Sequence, residues 1–172
     1  MESRTATAGT LHLNDKGYRA LRRYRYSIPG TAYLVTSVVE ERRPLFADFD
    51  TACRVARFMT GGGKLLDTRV MAWVLMPDHA HWLLQLGHGL SLAASVQRLK
   101  SLTARAAVTE GAPVWQAGFH EHALRGEREW RPAARYLVRN PVRAGLCASV
   151  WDYAFWDAEW LGERPGGGDP VA

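Results

Sequence analysis

A chain of 172 residues has room for one domain with a sizeable core, and its 47% hydrophobic share is that of an ordinary globular protein. Two cysteines, Cys53 and Cys147, are too few and too far apart for a disulfide framework or a cysteine zinc cluster, which fits a reducing, cytoplasmic setting. No apolar run approaches a membrane span, no signal-peptide h-region opens the chain, and the net charge is +5.

Residues 1–18 are polar and irregular and read as a flexible arm. Residues 19–161 read as a single domain and residues 162–172 as a disordered, acidic, Gly/Pro-rich tail. The domain opens on a basic, aromatic cluster in which Arg19, Arg22, Arg23 and Arg25 are interleaved with Tyr24 and Tyr26. After Pro29-Gly30, the β-branched and aromatic run from Ala32 to Val39 predicts a strand. Asp48 or Asp50 can cap a helix whose apolar positions Ala52, Val55, Ala56 and Met59 follow helical spacing, before Gly61-Gly62-Gly63 ends it.

Two apolar runs, residues 69–75 and 79–86, flank Met76-Pro77-Asp78 and predict a β-hairpin. Ser91 can cap a helix over 92–108, in which Leu92, Val96, Leu99, Leu102 and Thr103 share a face while Arg98, Lys100 and Arg105 spread over others. Residues 119–125 alternate loosely and predict a further strand. A helix then starts near Trp130 and stops at Asn140, because Pro141 disfavours helical geometry in the residue before it. The order β-α-β-β-α-β is that of a ferredoxin-like split βαβ sandwich, an α+β fold with an antiparallel sheet, here with one more helix appended. Such a sheet buries one face under its helices and leaves the other free for a ligand.

Charge is unevenly distributed along this frame. Residues 91–145 carry nine Lys/Arg against four Asp/Glu, whereas residues 152–169 carry one Arg against five acids. A concentrated basic surface with nearby aromatics suits a phosphate backbone with unpaired bases, although a merely solvated surface has the same composition.

Two segments carry chemistry. In Pro77-Asp78-His79-Ala80-His81-Trp82-Leu83-Leu84, residues two apart on a strand share a side. His79 and His81 therefore point one way, and Ala80, Trp82, Leu84 and Leu86 point toward a helix-covered core. Paired imidazoles could share a divalent ion, with the remaining ligands supplied by substrate, water and another side chain. In Ala134-Arg135-Tyr136-Leu137-Val138-Arg139-Asn140, Tyr136 and Asn140 are one helical turn apart. Phenols titrate near ~10, so a phenolic nucleophile needs a polarised target, which a metal on the scissile phosphate provides. Asn140 offers such an ion a hard carbonyl oxygen. His120-Glu121-His122 is a second His-x-His and could join His79 and His81 in a four-histidine site, or serve a polar, phosphate-contacting role.

PDHAHWLL, SVQRLKSLTARAA, VWQAGFHEHALR and AARYLVRNPVRAGL, in that order, resemble successive blocks of the REP-associated tyrosine transposases. These belong to the single-tyrosine HUH superfamily, in the IS200-like transposase family. YSIPGTAYLVTSVVEERRPLF resembles the family's first strand and following loop, so the resemblance spans about residues 22–160. It implies that His79, His81 and Asn140 hold a divalent metal (Mg²⁺ or Mn²⁺) and that Tyr136 is the nucleophile on the added C-terminal helix. It further implies cleavage and rejoining of hairpin-forming single-stranded DNA through a 5′-phosphotyrosine, by a protein expected to be a monomer rather than a homodimer. Ala80 departs from the bulky hydrophobic residue the family usually places between its histidines. Arg125, Arg139 and Arg143 flank the expected nucleophile and, with Arg98 and Lys100, are the expected DNA-binding residues. Two other readings stay open on the residues alone. One is a metal-dependent phosphodiesterase using His79, His81, His120 and His122; the other is a non-catalytic single-strand-binding module.

Overall fold

The alternation expected along the histidine strand sets the layout of the whole molecule. In a computed structural model, residues 27–60, 67–108 and 111–160 are described. The elements in order are β1 (Ala32–Val38), α1 (Phe49–Thr60), β2 (Thr68–Met76), β3 (His79–Leu86), α2 (Leu92–Ala107), β4 (His120–Ala123), α3 (Trp130–Val138), α4 (Asn140–Arg143) and β5 (Trp156–Ala158). The strands form one sheet in the order β4-β1-β3-β2-β5, every neighbouring pair antiparallel. Its first four strands are the split βαβ arrangement, with β3 inserted between β1 and β2. The fifth strand, on the free edge of β2, was not expected from the sequence. The arm, the basic cluster at residues 19–25, the glycine run and the tail lie outside the described residues.

Local chemistry explains the boundaries. Pro77 and Asp78 form the two-residue turn that pairs Met76 with His79. The Asp48 carboxylate accepts from the Thr51 backbone N–H at 2.9 Å at the start of α1, and the Ser91 hydroxyl accepts from Ala94 N–H at 3.2 Å at the start of α2.

Tyr33, Val35, Trp73, Leu75, Ala80, Trp82, Leu84 and Leu86 pack on one face of the sheet against Val55 and Met59 of α1 and Val96 and Leu99 of α2. Ala80 and its cross-strand partner Ser37 are both fully buried there.

The other face is not left free. Ala32, Ala72, Val74, Met76 and Leu83 pack against Trp130, Ala134, Leu137 and Val138 of α3. Trp130, Ala134, Leu137 and Val138 are spaced as an apolar helical stripe, and such a stripe needs a partner surface. The molecule is thus a three-layer structure, and only part of the histidine face is open.

The expected single helix from Trp130 to Asn140 is also divided. α3 ends at Val138, and α4 starts at Asn140 with Pro141 in its first turn. Proline has no N–H to give the Leu137 carbonyl. The Asn140 side-chain amide donates to that carbonyl instead, at 2.8 Å. Among the described residues, no helix is long and apolar enough to cross a membrane.

Candidate active site

β3 presents His79 and His81 on the α3 side of the sheet, with ring centroids 4.8 Å apart and planes nearly perpendicular. Each ring is held at Nδ1. The Asp78 Oδ1 lies 2.5 Å from His79 Nδ1, and the Thr36 hydroxyl lies 2.7 Å from His81 Nδ1. Thr36 reaches His81 because the two are cross-strand partners in the β1–β3 register. The second oxygen of Asp78 accepts from Arg42 at 2.9 Å. Burial would raise the Asp78 carboxyl, but the hydrogen bonds and charges of His79 and Arg42 outweigh it and hold the group below its usual range. His81 is pushed down to about 4, first by burial and then by the nearby charges of His79 and Arg143. A neutral His81 keeps a nitrogen lone pair at physiological pH.

The nucleophile expected from the sequence sits on the outer side of α3, where Tyr136 is 52% exposed. The Arg143 guanidinium lies over its ring, 4.4 Å from the centroid. Arg135, Tyr136, Arg139, Val142 and Arg143 line one open depression. Two observations tie this depression to the histidines. Arg143 touches Tyr136 while its charge acts on His81. Leu137 and Val138, which follow Tyr136, pack into the cluster that holds Val74 and Met76, the cross-strand partners of His81 and His79. Asn140 follows one turn later, and because its Nδ2 is engaged with Leu137, its Oδ1 remains available as an acceptor.

Several expected site residues lie elsewhere. Arg98 and Lys100 belong to α2, on the opposite side of the sheet from Tyr136. Arg98 is exposed, but Lys100 is only 7% exposed and donates its Nζ to the Gln116 and Gly118 carbonyls at 2.5 and 2.7 Å. That geometry makes it a staple for the loop leading into β4, not part of the phosphate track expected of it. Arg125 is exposed just before α3, at the far end of that helix from Tyr136. His120 and His122 are exposed on β4. His120 pairs with Thr36 from the side opposite His81. Among the described residues, no group of three or more His, Cys, Asp or Glu is placed to hold a metal. The four-histidine site is therefore not assembled.

His79 and His81, each engaged at Nδ1, are imidazole donors of the kind that a divalent ion completed by substrate and water could use. Sequence reasoning passed over Thr36, Arg42 and Asp78. Asp78 was visible as an acid beside a histidine pair, whereas Thr36 and Arg42 emerge only from strand register and loop path.

The family model for IS200-like transposases matches residues 27–131, more than half of the chain. This chain belongs to the IS200-like transposase family. The matched region includes His79 and His81 and stops before Tyr136. A REP-associated tyrosine transposase from Escherichia coli is 32% identical over 87 residues, which are 50% of this chain and 52% of that protein. The chain thus matches about half the length of that curated relative. A solved structure of a REP-associated tyrosine transposase bound to a REP hairpin superposes with a TM-score of 0.61 at 24% identity. It covers 77% of this chain and 79% of the other. At that identity the likeness is one of fold.

Proposed function

We propose that this member of the family cuts and rejoins single-stranded, hairpin-forming DNA, with Tyr136 as nucleophile. The observation that carries the reading is Arg143, which lies on the Tyr136 ring while its charge reaches His81. One cation thus lies on the exposed phenol and within electrostatic reach of His81, where a phosphodiester between them would have its charge matched. The hairpin bound in the structurally similar transposase supports a hairpin substrate for this chain.

In this mechanism the Tyr136 oxygen attacks the scissile phosphorus. The new Tyr–O–P bond forms as the P–O3′ bond breaks, and the phenolic proton passes through solvent to the departing 3′-oxygen. The products are a 5′-phosphotyrosyl strand and a free 3′-hydroxyl. Attack by a 3′-hydroxyl on the adduct reverses the exchange, so strand joining consumes no high-energy cofactor. Arg139 and Arg143, in the depression with Tyr136, hold the phosphate by charge-assisted hydrogen bonds. A divalent cation, Mg²⁺ or Mn²⁺, held by His79, His81 and Asn140, would withdraw charge from the same phosphate. In this reading the active form is a monomer, as the family resemblance implies.

The test is incubation of the protein with end-labelled hairpin single-stranded DNA and Mg²⁺ or Mn²⁺, followed by a denaturing gel. The reading requires a protein–DNA adduct that survives denaturation and is absent for Tyr136→Phe. Cleavage without adduct, unchanged by that substitution, would mean water is the nucleophile. Binding without cleavage would mean a non-catalytic module.

A further inference from the structure

We infer that Asp78 and Thr36 are positioning residues that lock the two imidazoles in one tautomer, with the proton on Nδ1 and the Nε2 lone pairs aimed together at the metal. The inference rests on the metal reading above and extends it to the side chains that hold the two rings. It begins from the way the two rings are held. A histidine offered to a metal through one nitrogen is usually fixed by a hydrogen bond at the other. Here both Nδ1 atoms are already engaged, one by the Asp78 carboxylate at 2.5 Å and one by the Thr36 hydroxyl at 2.7 Å. An ionised carboxylate can only accept, so His79 donates from Nδ1, which in the neutral ring leaves Nε2 unprotonated. Thr36 can accept in the same way from His81.

Asp78 is itself held from both sides, its Oδ1 engaged by His79 and its Oδ2 by Arg42. The turn that carries Asp78 is clamped on both sides. Val39 N–H donates to the Asp78 carbonyl at 2.8 Å, and Phe46 N–H donates to the Pro77 carbonyl at 2.9 Å. Between those two anchors, Glu41 and Arg42 adopt left-handed φ values of 56° and 53°. Such backbone is costly for residues with a Cβ and persists only where the surroundings enforce it. The path it produces delivers the Arg42 guanidinium to Asp78. Being 66% exposed, Arg42 steers the carboxylate more than it stabilises the fold.

The test combines ¹⁵N NMR of the histidine rings in metal-free protein, at about pH 8 where imidazole is neutral, with Mn²⁺ titration by calorimetry. Wild-type protein is expected to show Nδ1–H at both rings, against the Nε2–H form that imidazole side chains favour in water. Thr36→Val should release His81 from that tautomer and weaken Mn²⁺ binding by roughly 10–100-fold, and Asp78→Ala should do the same through His79. Thr36→Ser restores the hydroxyl and should restore both readouts. Retention of Nδ1–H in the folded Val and Ala variants would overturn the inference, as would Mn²⁺ affinity within about twofold of wild type. Thermal denaturation identifies a variant that fails to fold. The wild-type spectrum then decides alone, an Nε2–H ring at either position overturning the assignment. If wild-type protein binds no Mn²⁺, the metal reading fails, and the tautomer spectra still decide whether Asp78 and Thr36 orient the rings.

Discussion

Replacing Lys100 by Met separates a structural role from a DNA-contacting one. The substitution keeps most of the side-chain volume and removes the ammonium, which now satisfies the Gln116 and Gly118 carbonyls at 2.5 and 2.7 Å from a position only 7% exposed. Hydrogen bonds from a charged donor contribute about 1.5–3 kcal/mol each, and the desolvation of a nearly buried ammonium offsets part of that. A net loss of roughly 2–4 kcal/mol follows, or a Tm fall on the order of 5–12 °C for a protein of this size. Urea and thermal denaturation measure the loss. The salt dependence of DNA binding gives the second readout, because losing one phosphate contact lowers the slope of log K against log salt by about 1. The structure requires a large stability loss with an unchanged slope. A stability change below ~1 kcal/mol together with a slope reduced by about one contact would refute the staple and restore Lys100 to the DNA surface.

Other substitutions probe the remaining layers. Ser37 has a buried hydroxyl with no hydrogen-bond partner, opposite Ala80. Ser37→Ala should therefore raise stability, by up to about 1 kcal/mol in urea denaturation, and a clear loss would show that the hydroxyl is satisfied. Asn140→Ala removes the amide that covers the Leu137 carbonyl, and should cost about 1 kcal/mol of stability as well as weakening Mn²⁺ binding. Unchanged affinity would exclude Asn140 as a ligand. Tyr153 is pushed up to about 12, first by burial and then by the charge of Cys147, and its hydroxyl donates to the Leu75 carbonyl at 2.7 Å. Because the folded value lies above the ordinary value near 10, the stability from Tyr153 is complete below pH 10 and is lost as pH rises toward 12. For a half-buried ring this amounts to on the order of 1 kcal/mol. Alkaline denaturation of Tyr153→Phe should show that much less pH dependence than wild type, and identical curves would contradict the assignment.

How much of this was legible in the sequence depends on the range of the interaction. The hairpin around Pro77-Asp78, the Ser91 cap and the same-sided pair His79 and His81 follow from local turn, cap and strand chemistry, and the structure has all three. Strand β5 is three residues long and exists through its register with Ala72–Val74, which no local signal at Trp156–Ala158 announces. The covered second face was half legible. Trp130, Ala134, Leu137 and Val138 form an apolar stripe that had to pack on something, but a ferredoxin-like template offers no third layer. At Lys100 the charge masks the spacing, because the residue follows Val96 by four positions on the buried stripe of α2. The break before α4 turns on a single missing N–H at Pro141, which Asn140 replaces with a side chain. The proposed nucleophile is the least local of all. Tyr136 looks like any exposed helical tyrosine until Arg143 connects it to His81.

That connection makes Tyr136 the central claim, and its covalent product can be read directly. After reaction with hairpin single-stranded DNA and a divalent metal, the adduct is trimmed with nuclease and protease and its peptides are sequenced by mass spectrometry. The account predicts a nucleotide 5′-phosphate on the Tyr136 oxygen and nowhere else in the chain. A nucleotide attached to another residue, or cleaved DNA with no modified peptide, would contradict it.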